Sequence, residues 1–224
     1  MKFIPILFST PMVQAILENR KTQTRRVIKN ISIEENKHGS FNYKAKGFGG
    51  TNIPKEDLSC DFLGISSLCK YNIGDILWVR ESFHYVLDSE TLDFLNYDYK
   101  ADREYYNKTG KWKPSIHMPK DACRLFLQIK DRRVERLLDI SEKDAKAEGI
   151  RFYYDEVLQS NRYKHYVYDS SGYGNPEVDY PCASQANHSF FSLWVKINGQ
   201  QSFESNPWVW VIEFERIDKP DNFC

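Results

Sequence analysis

The chain has 224 residues, 41% of them hydrophobic and 28% charged, with 31 basic against 31 acidic side chains and a formal net charge of zero. That length allows a sizeable core and that composition excludes a disordered chain. The neutral balance excludes a protein that grips polyanions over its whole surface, so any nucleic-acid contact must be local. No run approaches the roughly 18 apolar residues that a membrane helix needs. Pro5 breaks the N-terminal apolar stretch too early for a signal peptide. Five irregularly spaced cysteines, Cys60, Cys69, Cys123, Cys182 and Cys224, read as free thiols of a reducing cytoplasm.

Residues 4–8 read as a short buried strand. Ser9-Thr10-Pro11 then predicts a helix start, with a hydroxyl N-cap and Pro at the first helical position. Met12, Val13, Ile16 and Leu17 form an apolar stripe, and Asn19 suits a left-handed stop. Residues 20–26 are expected to be a polar, basic loop. Residues 28–72 are polar and irregular around Gly47, Gly49 and Gly50, an insertion expected to carry little core. Gly74 and Asp75 predict a turn, and residues 76–81 a strand leaving it. Residues 83–113 form a second, tyrosine-rich insertion.

Residues 125–129 read as a buried strand that 134–137 continue or re-pair. Ser141 and Asp144 have the spacing of a capping box and open a short helix through Ala145 and Ala147, which Gly149 closes. A third insertion covers 151–188. Residues 190–197 suit a helix around Leu193 and Trp194. The clearest strand is 208–216, with Trp208, Trp210, Ile212 and Phe214 on one face and Val209, Val211, Glu213 and Glu215 on the other. Strands outnumber helices and do not alternate with them, which does not fit a doubly wound parallel sheet. A single α+β domain over residues 1–224 fits better, a small mixed β-barrel with flanking helices and long loop insertions.

Five cations, Arg20, Lys21, Arg25, Arg26 and Lys29, fall within ten residues without an acid, beside the hydrogen-bonding side chains of Thr22, Gln23 and Thr24. Guanidinium forks and hydroxyls in such a loop suit a phosphate or a polar heterocycle. The same run also suits a solvated turn whose cations answer the helix C-terminus. Arg80 and Glu81 can line the same cleft or form a structural ion pair. Twelve of the 14 tyrosines fall between residues 85 and 180. Aromatics mixed with Lys and Arg can stack unpaired bases, but fastening loops onto a sheet is their commoner use, and we favour it here. His117, Cys123, Cys182 and His188 match no zinc-finger spacing, so no metal is expected.

The run Ile16-Leu17-x-x-Arg20-Lys21-Thr22-x-Thr24-x-Arg26 and the segment Gly74-Asp75-x-Leu77-x-Val79-Arg80-Glu81 resemble the ASCH family of PUA-like barrels. Residues 140–150 and 206–214 resemble a longer branch of that family often carried by phages and prophages. The resemblance covers about half the chain and implies a cleft that binds RNA or a nucleoside, with no cofactor. Its ligand-binding residues would be Arg20, Thr22, Gln23, Arg25, Arg26, Arg80, Glu81 and His117. Thr24 stands where the family usually has Glu. Small N4-acetylcytidine amidohydrolases share this Lys and Thr and add a Glu from a later helix, which Glu148 matches.

The resemblance therefore implies an amidohydrolase for an acylated, modified nucleoside. Thr24 would attack the acyl carbonyl, Lys21 would take its proton, and Glu148 would donate a proton or orient Lys21. Glu148 can instead be a solvent-exposed side chain at a helix end. The alternatives at this stage are a non-catalytic RNA- or nucleotide-binding module and a ribonuclease.

Overall fold

The computed structural model describes residues 1–46, 48–54, 69–102, 111–156, 159–164, 166 and 185–223. Cys60, Cys182, Cys224, Gly47 and the tyrosines from 168 to 180 lie outside the described residues. The chain is an α+β protein rich in strand. It divides into two compact units, one of Met1–Asn19, Ile73–Lys130 and Phe214–Cys224, the other of Arg20–Asn72 and Asp131–Glu213.

In the first unit, β1 (Phe3–Leu7) lies parallel to β6 (Ile76–Arg80), which pairs antiparallel with residues 126–128 of β9 (Phe126–Arg136), a strand whose residues from Asp131 onward belong to the second unit. Gly74, at φ +84°, makes the turn before β6, and its N–H donates to the Ile129 carbonyl. Helix α1 (Thr10–Leu17) follows Ser9, whose hydroxyl makes no capping hydrogen bond, contrary to expectation; Pro11 is its second residue, and it buries Val13, Ala15 and Ile16. Its exit runs through Asn19 at φ +58°, a left-handed position that asparagine tolerates. The core gathers Ile76, Phe83, Met118, Phe126 and Phe223, with Phe223 edge-on to Phe126 at 4.7 Å. The second insertion is ordered here as a hairpin, β7 (Phe83–Leu87) against β8 (Phe94–Tyr99). Tyr85 and Tyr97 pack on this core, and the Tyr99 hydroxyl donates to the Ala122 carbonyl. These tyrosines fasten the hairpin, as the commoner use of aromatics implies.

In the second unit, β2 (Gln23–Val27) pairs antiparallel with β12 (Trp208–Ile217). The expected basic loop is thus a buried strand from Gln23 onward. Residues 209–212 of β12 are buried on both faces, so its alternation does not separate core from solvent there. Residues 31–53, expected to carry little core, instead form an antiparallel sheet of β3 (Ile31–Glu35), β4 (Phe41–Ala45) and β5 (Phe48–Ile53). Its inward side chains Ile33, Phe41, Tyr43 and Ile53 are buried. The glycines that suggested a loop are packing positions: a Cβ at Gly50 would lie 2.4 Å from the Tyr43 ring, and one at Gly49 2.6 Å from the Tyr43 carbonyl oxygen.

The third insertion contributes another hairpin, β10 (Phe152–Asp155) against β11 (Ser160–Tyr163). Helix α2 (Glu142–Ala147) is capped by the Ser141 hydroxyl, which accepts from the Asp144 N–H at 3.1 Å. Helix α3 (Ala186–Asn198) begins on the Glu142 carboxylate, which accepts from Ala186 and Asn187 N–H. Helix α4 (Gln200–Glu204) follows. Leu137, Ile140, Ala145, Ile150, Phe190 and Val211 are among the residues of this unit's core. Among the described residues the strands form open sheets, and the expected barrel does not close.

Candidate functional site

The last carbonyls of a helix have no partner within it, and at the end of α2 the segment after Asn19 supplies partners. Thr22 N–H donates to the Ala147 carbonyl at 2.8 Å, the Arg20 guanidinium to the Gly149 carbonyl at 2.7 Å, and Lys21 Nζ to the Glu148 carbonyl at 2.9 Å. Gly149 takes φ +86°, the left-handed conformation that ends α2 and turns its carbonyl toward Arg20. Lys21 and Glu148 form an antiparallel bridge, which draws their side chains together.

Lys21 Nζ lies 2.7 Å from Glu148 Oε2. The other oxygen, Oε1, accepts from Arg25 Nη1 at 3.0 Å. Arg25 in turn donates through Nε and Nη2 to Glu135 Oε1, at 2.9 and 2.6 Å, with its guanidinium 5.6 Å above the Phe190 ring centre. Gln23 bridges outward, donating to Asp144 at 3.0 Å and Glu213 at 2.9 Å. Arg133 binds Asp144, Glu135 and Glu213. Glu148 is therefore not solvent-exposed. The Lys21, Arg25 and Glu148 side chains are 0%, 1% and 5% exposed.

Burial lowers the Lys21 pKa from the ordinary lysine value; contact with Glu148 opposes this, and the Arg26 and Arg25 charges reinforce it. Burial pushes Asp144 up, but hydrogen bonds from Gln23 and Ser141 and the charges of Arg133 and Arg25 outweigh it and leave the carboxyl lowered.

Thr24 is 1% exposed and sits opposite Ile212 in the β2–β12 register. It falls between Gln23 and Arg25, whose side chains join the ionic network, and successive strand residues face opposite ways. The fold thus unites Lys21, Gln23, Arg25 and Glu148 on one face of β2 and turns Thr24 to the other. Thr22 is exposed, and Arg20 and Arg26 are half-buried.

A scan of family models, a search of characterised proteins and a search of solved structures find no match to this chain. Its chemistry rests on its own residues.

Arg80, Glu81 and His117 belong to the first unit. Glu81 is buried and takes two hydrogen bonds from Arg124, at 2.9 and 3.1 Å. Arg124 also binds Asp102 and stacks 3.9 Å over Tyr99. Burial raises the Glu81 pKa, against the pull of Arg124. Arg80 donates to the Ile116 carbonyl, and His117 is exposed in a short turn at Ser115–His117. Cys123 is buried with its thiol against the Val79 and Leu125 carbonyls, and burial raises it to about 11. Among the described residues no three or more His, Cys, Asp or Glu side chains gather to hold a metal ion. No helix among them is long and apolar enough to cross a membrane.

Sequence reasoning did not find Arg133, Glu135, Asp144 and Glu213. Arg133 and Glu135 carried a signal, since they stand two apart in one strand and so share a face.

Proposed function

We propose that this chain is a nucleoside- or RNA-binding protein of the ASCH, PUA-like kind, from the longer phage and prophage branch, and that it hydrolyses the amide of an acylated base at Lys21 and Glu148. The observation that supports this is the buried 2.7 Å contact between Lys21 Nζ and Glu148, together with the burial that lowers the lysine. A lysine so perturbed, with a carboxylate partner, is a candidate acid–base centre.

In this reading the neutral Lys21 amine takes a proton from water as the water oxygen bonds to the acyl carbon. The C–N bond then breaks, and the proton passes from Lys21 to the departing amine. One water is consumed, giving the carboxylic acid and the free base. Glu148 is a positioning residue that holds Lys21 and steadies its charged form. Water takes the place the resemblance gives Thr24, because that side chain faces away from the Arg25 side of β2.

The test is a panel of acylated nucleosides that includes N4-acetylcytidine, with released free base followed by chromatography. Wild type should turn over at least one member, with Lys21→Ala and Glu148→Gln slower by about 10²-fold or more. Thr24→Val should stay within about tenfold of wild type. An inactive wild type, or a fully active Lys21→Ala, overturns the hydrolase reading.

A non-catalytic binding module is the second reading, and a specific observation favours it. Lys21 has no exposed side-chain surface, and Glu148 already answers its charge. Such a pair can serve the fold alone.

A further inference from the structure

The two hairpins that hold the described part of the tyrosine-rich insertions present different surfaces. The β7–β8 tip exposes Leu87, Leu92, Phe94 and Leu95. Between Phe83 and Tyr99 it carries Asp88, Glu90, Asp93 and Asp98, with no Lys or Arg. A polyanion would be repelled there.

In the β10–β11 hairpin, Phe152 and Tyr154 are 54% and 59% exposed. Standing two apart in one strand, they share a face, so two aromatic rings are offered to solvent side by side. Tyr163, opposite Phe152 in the register, lies on the same face of the hairpin and is buried, its ring centroid 6.3 Å from that of Phe152. Cations border this face. Lys146 is exposed at the end of α2, its Nζ 5.8 Å from the Tyr163 ring centre. Arg151 immediately precedes Phe152 and is exposed, as is Lys164, whose N–H donates to the Arg151 carbonyl. Lys164 Nζ stands 5.7 Å over Tyr166, and the charges of Arg20 and Arg151 both act on the Tyr166 phenol.

Exposed rings flanked by cations match a flexible polyanion that carries a flat π-face on every unit. A buried core needs neither feature at its surface. We infer that the Phe152–Tyr154 face of the β10–β11 hairpin binds single-stranded RNA, stacking successive bases on the two rings and placing phosphates on Lys146, Arg151 and Lys164. The choice of RNA rests on the nucleoside reading of the Lys21 centre, while the stacking surface does not. The face is continuous with that centre along the chain, since Arg151 follows Glu148 by three residues and Arg20 anchors Gly149 between them.

The experiment is fluorescence anisotropy with a labelled single-stranded RNA dodecamer over a range of salt, using the full chain. Phe152→Ala/Tyr154→Ala should weaken binding by about 30-fold or more, the lower end of what two lost stacking contacts give. Arg151→Ala should weaken binding and flatten the plot of log affinity against log salt by about 0.7. Both variants change exposed side chains, and an unchanged thermal unfolding curve shows that the fold is kept. Hydrolysis of the acylated-nucleoside panel and binding of the dodecamer are measured separately on wild type, so a failed hydrolysis assay and a failed binding assay are separate results.

The inference is overturned if wild type does not bind, if the aromatic variant binds as wild type does, or if double-stranded RNA binds equally well. It is also overturned if sedimentation shows a dimer that dissociates in the aromatic variant while RNA affinity is unchanged.

Discussion

Glu148→Gln is the most direct probe of the buried network, because it keeps the side-chain volume and removes one charge between two cations. Losing one member of a buried ion pair costs about 3–5 kcal/mol. Two features of the structure place this case near the lower figure. Arg25 keeps Glu135 at 2.6 Å and Asp144 at 3.8 Å, and Lys21 keeps the main-chain oxygen of residue 148 at 2.9 Å. The expected loss is about 3 kcal/mol, or about 6–12 °C in melting temperature for a chain of this size.

The loss should depend on pH. Glu148 raises the Lys21 pKa, so the variant lowers it further from its already depressed value. Between that value and the ordinary lysine pKa, the unfolded chain holds a proton that the folded chain lacks, and stability therefore rises with pH. The deficit of Glu148→Gln should be larger at low pH than as pH approaches the ordinary lysine value. Urea unfolding followed by tryptophan fluorescence reads this as a shift in midpoint at constant m-value. The double variant Lys21→Met/Glu148→Leu replaces both charges with apolar volume and should recover most of the loss. A Glu148→Gln protein within about 1 kcal/mol of wild type at pH 7, or a deficit that does not change with pH, would refute the reasoning.

Asp144, whose folded pKa is depressed, contributes stability that is present above the ordinary carboxylate value and lost as pH falls through its folded value. Asp144→Asn should flatten the acid limb of the stability curve below about pH 4 and cost about 1–3 kcal/mol at pH 7, both read by urea midpoints across pH. Gly149→Ala forces a side chain into φ +86° and should cost about 1–2 kcal/mol. Gly149→Asn, which tolerates that region, should cost less in the same assay.

The elements legible in the sequence are those whose signal is local. β1, β6, β9 and β12 announce themselves as apolar runs, α1 by Ser9 and Pro11, and α2 by Ser141 at its start and Gly149 after its end. β2 was illegible for the opposite reason. Its Arg25 and Gln23 look like solvated loop residues because their partners lie far along the chain: Glu135 is 110 residues from Arg25, and Asp144 and Glu213 are 121 and 190 residues from Gln23. Lysine or arginine reads as surface unless the neutralising carboxylate is in view, and only the fold brings it there. The β3–β5 sheet was hidden differently, since Gly49 and Gly50 signal a loop until Tyr43 is seen to need their missing side chains. Glu148 opposite Lys21, 127 residues away, is matched by the family resemblance.

The network also changes what the basic run can bind. Lys21, Arg25 and Arg133 face four carboxylates, Glu135, Asp144, Glu148 and Glu213. Two of the charges that suggested a phosphate loop, Lys21 and Arg25, are therefore already answered inside the protein, and a phosphate brought to them would have to compete with those carboxylates. A ligand at Lys21 should accordingly be neutral where it meets the centre, as an acylated base is and a phosphate is not. On the proposed reading the negative part of a nucleotide or RNA would rest elsewhere, and the exposed cations Lys146 and Lys164 near Phe152 and Tyr154 offer such a place. If both proposals hold, neutral base chemistry at the end of α2 and phosphate contact on the β10–β11 hairpin would be two halves of one electrostatic requirement.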